Sequence, residues 1–131
     1  MNYRIVDNAD EMKLEDIVRL LRMTYWADKR PEETIEKSVR NSDCYGIYTD
    51  TTDKLIGFAR VISDHATAYY LCDVIIDPEY RGNGLGKALV SHIVSRPEYA
   101  NQHGFLFTRD AHGLYEQYGF QVAVGRSMER R

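Results

Sequence analysis

The chain is short of cysteine and proline, has no long apolar run and shows no strong excess of either charge, and each shortage removes a class of protein. Only two cysteines, Cys44 and Cys72, occur in 131 residues. They lack metal-ligand spacing, and each sits in an apolar, strand-like run. That pattern predicts two reduced, buried thiols of a cytosolic protein rather than a disulfide framework. The four histidines, His65, His92, His103 and His112, likewise show no metal spacing, so no metal is expected. With three prolines, 44% hydrophobic and 28% charged residues, the composition is that of an ordinary globular protein. A formal charge of −3 argues against a nucleic-acid-binding domain, which carries a basic excess. The dense basic cluster, Arg126, Arg130 and Arg131, reads as a solvated tail. No apolar run approaches a membrane span, and Met1–Asp10 is too polar for a secretory signal. The expectation is a soluble, cytoplasmic protein of one domain over residues 1–131, with neither nucleic acid nor membrane as partner.

Periodicity supplies the order of elements. Tyr3–Val6 reads as a strand. Leu14, Ile17, Val18, Leu21 and Tyr25 fall on one helix face. Pro31 with Glu32 and Glu33 opens a second helix, whose apolar stripe is Ile35 and Val39. Tyr45–Tyr48 and Leu55–Ile62 read as a hairpin around the turn-like Asp50–Asp53. Tyr69–Ile76 is a nearly continuous apolar run, the pattern of a strand covered on both faces. Leu85, Ala88, Leu89, His92 and Ile93 mark a further helix face that stops before Pro97. Gly104–Thr108 reads as a strand, Ala111–Tyr118 as a short helix and Phe120–Val124 as a last strand. Interleaved helices and strands imply a single α/β domain with a mixed sheet.

The most informative segment joins a buried strand to a helix through Arg81-Gly82-Asn83-Gly84-Leu85-Gly86. Three glycines in five residues let a backbone approach a ligand, and the first N–H groups of the helix have no partner within it. Together they suit an anion such as phosphate. A dinucleotide fingerprint would need glycine where Lys87 stands. A P-loop would need glycine at Arg81 and a hydroxyl residue at Ala88. Neither nucleotide motif fits.

The segment does fit the R/Q-x-x-G-x-G/A loop that holds the pyrophosphate of acetyl-CoA in the GCN5-related N-acetyltransferase (GNAT) family. Ile76-Asp77-Pro78-Glu79-Tyr80 resembles the strand end that precedes it there, and Leu114-Tyr115-Glu116 with Gly119-Phe120 resembles the family's later helix. The resemblance implies a mixed sheet of about six or seven strands flanked by helices. It further implies an N-acetyltransferase moving acetyl from acetyl-CoA to a primary amine, either small or on a protein, by direct transfer in a ternary complex. A catalytically weak CoA-binding regulatory domain is the alternative from another class.

The resemblance also assigns residues. Arg81, Gly82, Asn83, Gly84, Leu85 and Gly86 would hold the pyrophosphate. Val74 and Ile76 would offer backbone groups to the pantetheine arm where the fourth and fifth strands splay. Tyr115 would protonate the departing thiolate, its alternative being a packed core aromatic. Asp110 stands where relatives contact pantetheine, and it reads equally well as a helix N-cap. Tyr25, Trp26 and Arg30, between the first two helices, would border the acceptor pocket or serve helix packing. Asp73 is out of place in an apolar strand, because an unpaired buried charge is costly. It either binds or deprotonates the amine, directly or through water, or it is structural, paired with an arginine such as Arg60 or hydrogen-bonded at a bulge.

Overall fold

Apolar alternation gathers five segments into one sheet in the computed structural model, which describes residues 1–131. Strands β1 (Tyr3–Val6), β2 (Asp43–Thr49), β3 (Leu55–Ser63) and β4 (Ala68–Ile76) pair antiparallel in succession. Strand β5 (His103–Phe105) joins β4 in parallel. The parallel step needs a crossover, and the chain between β4 and β5 supplies it as helix α3 (Leu85–Val94). Helices α1 (Leu14–Leu21) and α2 (Glu32–Arg40) cover the opposite face. The short helix α4 (His112–Glu116) packs on the α3 side through Tyr115. No helix is long and apolar enough to cross a membrane.

Two cores result, one on each face. Leu85, Leu89, Val90 and Ile93 of α3 meet Tyr45, Ile47, Val61 and Leu71 of the sheet. Ile17, Leu20 and Leu21 of α1 meet Ile35 of α2 with Leu55 and Phe58 below. Each such fully buried side chain stabilises the fold by about 1.5–3 kcal/mol before conformational entropy is charged against it. The apolar β4 run is therefore explained by cores on both sides of the sheet.

Helix α1 ends at Leu21, one turn earlier than its apolar period suggests. The buried Thr24 hydroxyl donates to the Leu21 carbonyl at 2.7 Å and accepts from the Ala27 N–H at 3.0 Å. Arg22 then donates to the carbonyls of Ala27 and Arg30 at 3.2 and 2.6 Å. These bonds turn the chain and fix the loop that carries Tyr25, Trp26 and Arg30.

Further along, Tyr99 anchors the link from α3 to β5: its hydroxyl donates to Asp43 at 2.7 Å and meets the Tyr45 hydroxyl at 2.6 Å. His92 belongs to α3 as expected, and its ring nitrogen lies 2.6 Å from Asp7, a carboxylate also held by Arg96. Its structural role is thus a polar tie rather than apolar packing.

The sheet has five strands where six or seven were expected. Phe120–Val124 alternates like a strand but forms none, because β5 ends at Phe105 and no ladder continues beyond it for the segment to join. Phe120 packs instead against Tyr115, while Val122 and Val124 are exposed.

Gly104 in β5 is required by close approach: a Cβ there would lie 2.2 Å from Cζ of the buried Tyr69 ring. Gly104→Ala must displace that ring from its core, and we expect a loss of about 1–3 kcal/mol. Thermal and urea unfolding would register it. A variant as stable as the parent would show that the ring relocates freely.

Candidate active site

Strands β4 and β5 pair over three positions only, Ala68–His103, Tyr69–Gly104 and Tyr70–Phe105. From Leu71 onward β4 has no strand beside it on that side, so a cleft opens along a backbone edge. The divergence coincides with a bulge. Arg60 faces Cys72 and Phe58 faces Ile75, so the single residue Ala59 stands opposite Asp73 and Val74. Asp73 takes the left-handed conformation with φ of 55°. The extra residue switches the faces of the strand: Tyr69 and Leu71 point to the α3 core, and after the bulge Val74 and Ile76 do so. Ile75 turns into the α1–α2 core. A bulge bends its strand and re-aims side chains, as it does here beside the cleft.

The loop after β4 is tied down by Asp77. Its Oδ1 accepts from the Glu79 N–H at 3.0 Å, and Oδ2 pairs with Arg19 at 3.1 Å and Lys54 at 3.7 Å. Its own N–H donates to the Ile56 carbonyl at 2.8 Å. Arg81 Nε donates to the Ile76 carbonyl at 3.2 Å, and Asn83 Nδ2 donates to the Tyr80 carbonyl at 2.9 Å. Gly82 and Gly84 both lie in the left-handed region, with φ of 85° and 73°. Gly84 caps α3 without any side-chain acceptor, and the first helical bond runs from Ala88 N–H to Gly84 C=O at 3.0 Å. The N–H groups of Leu85, Gly86 and Lys87 have no carbonyl to meet within the helix. No atom lies within 4 Å of where a Cβ of Gly82 or Gly84 would stand, so the loop is open at these two positions, beside the positive end of the helix dipole.

Three separate motifs converge at Gly86. A Cβ built there would touch Ile76 Cγ1 at 3.9 Å and Leu114 Cδ2 at 4.0 Å. The loop, the splayed end of β4 and helix α4 therefore meet at one point. Tyr118 adds a second tie, donating to the Lys87 carbonyl at 3.1 Å. Tyr115, next to Leu114, is buried, and its ring meets Phe120 edge-on with centroids 6.1 Å apart. Burial, with a smaller contribution from the Asp110 charge, pushes its phenol up to about 12. The residue is therefore a neutral, proton-bearing phenol at pH 7. Asp110 is exposed and does not cap α4. Ala111 stands at the N-cap with no side-chain cap bond to the helix, and its own N–H donates to Thr108 Oγ1 at 3.0 Å.

On the α1–α2 side of the same strand lies a polar cluster. Arg30 donates to both oxygens of Asp73, at 2.8 and 3.4 Å. Arg60 Nε donates to Oδ2 at 2.9 Å and the Trp26 indole N–H to Oδ1 at 3.0 Å. Burial pushes this carboxyl up, but the Arg30 hydrogen bonds and the Arg60 charge outweigh it and hold it below the usual carboxylate range. Of the two readings of Asp73, pairing with arginine at a bulge is the one the geometry favours. Trp26 and Arg30 thus join Asp73, and Tyr25 packs edge-on against Trp26 at 5.0 Å. Arg109, which sequence reasoning passed over, stacks on Tyr25 with its guanidinium carbon 3.8 Å from the ring centroid. Its position directly after the Leu106–Thr108 segment was the available signal.

Comparison with known proteins identifies the family. The model of the GNAT acetyltransferase domain matches residues 40–122, a span that runs from the end of α2 past Phe120. A solved structure from Xanthomonas campestris pv. campestris, described as belonging to the GNAT family, superposes with a TM-score of 0.92. It is 35% identical and covers 100% of this chain and 94% of its own. Among curated proteins, the uncharacterized N-acetyltransferase ycf52 of the alga Gracilaria tenuistipitata var. liui is 30% identical over 114 residues, which are 83% of this chain and 62% of the alga's protein. The chloroplastic GCN5-related N-acetyltransferase 2 of Arabidopsis thaliana is 61% identical over 41 residues, 31% of this chain and 16% of the plant protein. The chain thus spans under two thirds of the length of these two curated relatives. It belongs to the GNAT family of acetyltransferases.

Asp73 offers a direct test of the cluster. Asp73→Asn keeps the outline of the side chain but leaves two guanidiniums against a neutral amide, which should cost about 3–5 kcal/mol at pH 7. The carboxyl is held low in the folded chain, so its stabilisation is complete above an unfolded pKa of about 3.9. That stabilisation is lost as pH falls through the lower folded value. Urea midpoints of parent and variant should differ most near neutrality and converge in acid. A gap that widens in acid would contradict the pairing.

Proposed function

We propose that the protein transfers an acetyl group from acetyl-CoA to a primary amine by direct transfer in a ternary complex. The observation that carries this reading is the convergence at Gly86 of an uncapped helix start, an unpaired strand edge and the helix bearing Tyr115. The N–H groups of Gly82–Gly86, the α3 dipole and the charge of Arg81 would hold the pyrophosphate. The free edge of β4 at Val74 and Ile76 would take the pantetheine arm, and one N–H there would polarise the thioester carbonyl. Tyr115 would give its proton to the departing thiolate, and its neutral state at pH 7 supports that role. Asp110, beside it, remains a candidate contact for the arm.

The amine must arrive from the α1–α2 side, past Tyr25, Trp26 and Arg30. Asp73 is a poor base, since its carboxylate accepts four hydrogen bonds and resists protonation. We assign it to positioning, with water removing the amine proton. Neither thiol invites a covalent intermediate: burial pushes Cys72 up to about 11 and Cys44 up to about 12, leaving little thiolate near pH 7.

A screen of amines with acetyl-CoA, read by thiol release, tests the activity, and Tyr115→Phe tests its chemistry. The variant keeps the ring but loses the proton, so turnover should fall by about 10²- to 10⁴-fold. Acetyl-CoA affinity, measured by calorimetry, should change little, because the contacts assigned to the cofactor are mostly backbone. Turnover within twofold of the parent would return Tyr115 to core packing. A parent that binds acetyl-CoA but releases thiol with no amine would be the CoA-binding regulatory domain instead.

A further inference from the structure

The α1–α2 side of the cleft holds more positive charge than its buried acid neutralises. Arg30 and Arg60 share the single carboxylate of Asp73, whose side chain is 2% exposed. Arg109 forms no ion pair, and its guanidinium is held on the face of Tyr25. Two guanidiniums therefore share one carboxylate, and a third stands over Tyr25, which packs on the Trp26 bonded to that carboxylate, in a chain whose overall formal charge is −3. The surplus is local. Nearby Asp110 does not cancel it within the cluster, since it hydrogen-bonds to none of the three arginines and its charge bears on Tyr115.

The geometry of the surplus is also directed. Arg109 follows the β5 segment and Tyr25 follows α1, so their stacking joins the two walls of the cleft. From Tyr25 the contacts run on through Trp26 to Asp73 at the floor. The Arg109 guanidinium, seated over the Tyr25 ring, makes no hydrogen bond or ion pair within the chain, so its N–H donors are free. Those donors match the two oxygens of a carboxylate or phosphate. Behind them Arg30 and Arg60 are largely withdrawn from solvent, with side chains 24% and 11% exposed. Positive charge in excess there lacks a counterion and favours an arriving anion.

We infer that the acceptor amine carries an anionic group, a carboxylate or a phosphate, held by Arg109 in the field of Arg30 and Arg60. The inference rests on the acetyl-transfer reading and adds the acceptor's class to it. Arg109 is then a specificity-determining residue: it binds the far end of the acceptor and leaves the amine facing the thioester.

Matched amines test it. Acetyl-CoA-dependent thiol release is measured for β-alanine beside propylamine, phenylalanine beside 2-phenylethylamine, and phosphoethanolamine beside ethanolamine. For the parent, kcat/KM should favour the anionic member of at least one pair by tenfold or more. The carboxylate and phosphate arms say which anion is read. Arg109→Gln should bring the preferred pair within about threefold of equality, mainly by raising KM for the anionic member. Arg109→Lys should retain part of the preference. Calorimetry with acetyl-CoA runs alongside on all three proteins and should show equal affinity. If the parent fails to bind acetyl-CoA, the underlying acyltransfer reading falls. If acetyl-CoA binds and no anionic amine outperforms its neutral partner, or Arg109→Gln leaves the preference intact, only the present inference is overturned.

Discussion

A buried carboxylate in the middle of β4 governs both halves of this molecule. Asp73 occupies a left-handed bulge, a conformation that costs a non-glycine residue of order 1 kcal/mol or more. Two guanidiniums and an indole hold it there. Because the extra residue switches the parity of the strand, Leu71 and Ile75 enter different cores, and Val74 and Ile76 face the α3 side. Without the bulge those residues would exchange faces. The same carboxylate fixes Trp26 and Arg30, so the loop between α1 and α2 is docked on the strand that opens the cleft. One ion cluster thus couples the α1–α2 layer to the sheet edge over which the proposed chemistry would run.

The cleft divides its work between backbone and side chains. On the α3 side, the groups available to a ligand are N–H donors at a helix start and along an unpaired strand edge. Such groups are rigid and carry little side-chain entropy, which suits a large, invariant cofactor. On the α1–α2 side, the groups are arginines and aromatic rings, which discriminate by charge and shape. Tyr115 stands on the α3 side, on a helix tied to the loop through Leu114 and Tyr118. On the proposed function, this arrangement would let the acceptor preference change by substitution at Tyr25 or Arg109, which do not touch Asp73, without disturbing the Arg81–Gly86 loop.

The fold was largely legible in the sequence because its signals are local. The helix faces of α1, α2 and α3, the β2–β3 hairpin and the glycine loop appear where periodicity and turn chemistry put them. Fold and loop were named from contiguous residues. What failed or stayed open depended on partners far along the chain. Phe120–Val124 has a strand's alternation but no free ladder to join. Helix α1 stops early because Thr24 and Arg22 capture its carbonyls and those of the next turn. Asp73 could not be assigned from sequence, since its three partners lie 13 to 47 positions away. Asp77 looked like a strand end, and its grip on Arg19, 58 positions earlier, has no local signature. Arg109 was missed for the same reason: only the folded chain brings it onto Tyr25.

The central claim is that an uncapped helix and a splayed strand edge form one binding surface for acetyl-CoA. An NMR titration of the ¹⁵N-labelled protein with acetyl-CoA tests it most directly, read through backbone amides. The account predicts the largest shifts at Gly82, Asn83, Gly84, Leu85 and Gly86, together with Val74 and Ile76, saturating along one common curve. Shifts confined to other surfaces, or loop and strand amides that titrate with different midpoints, would contradict it.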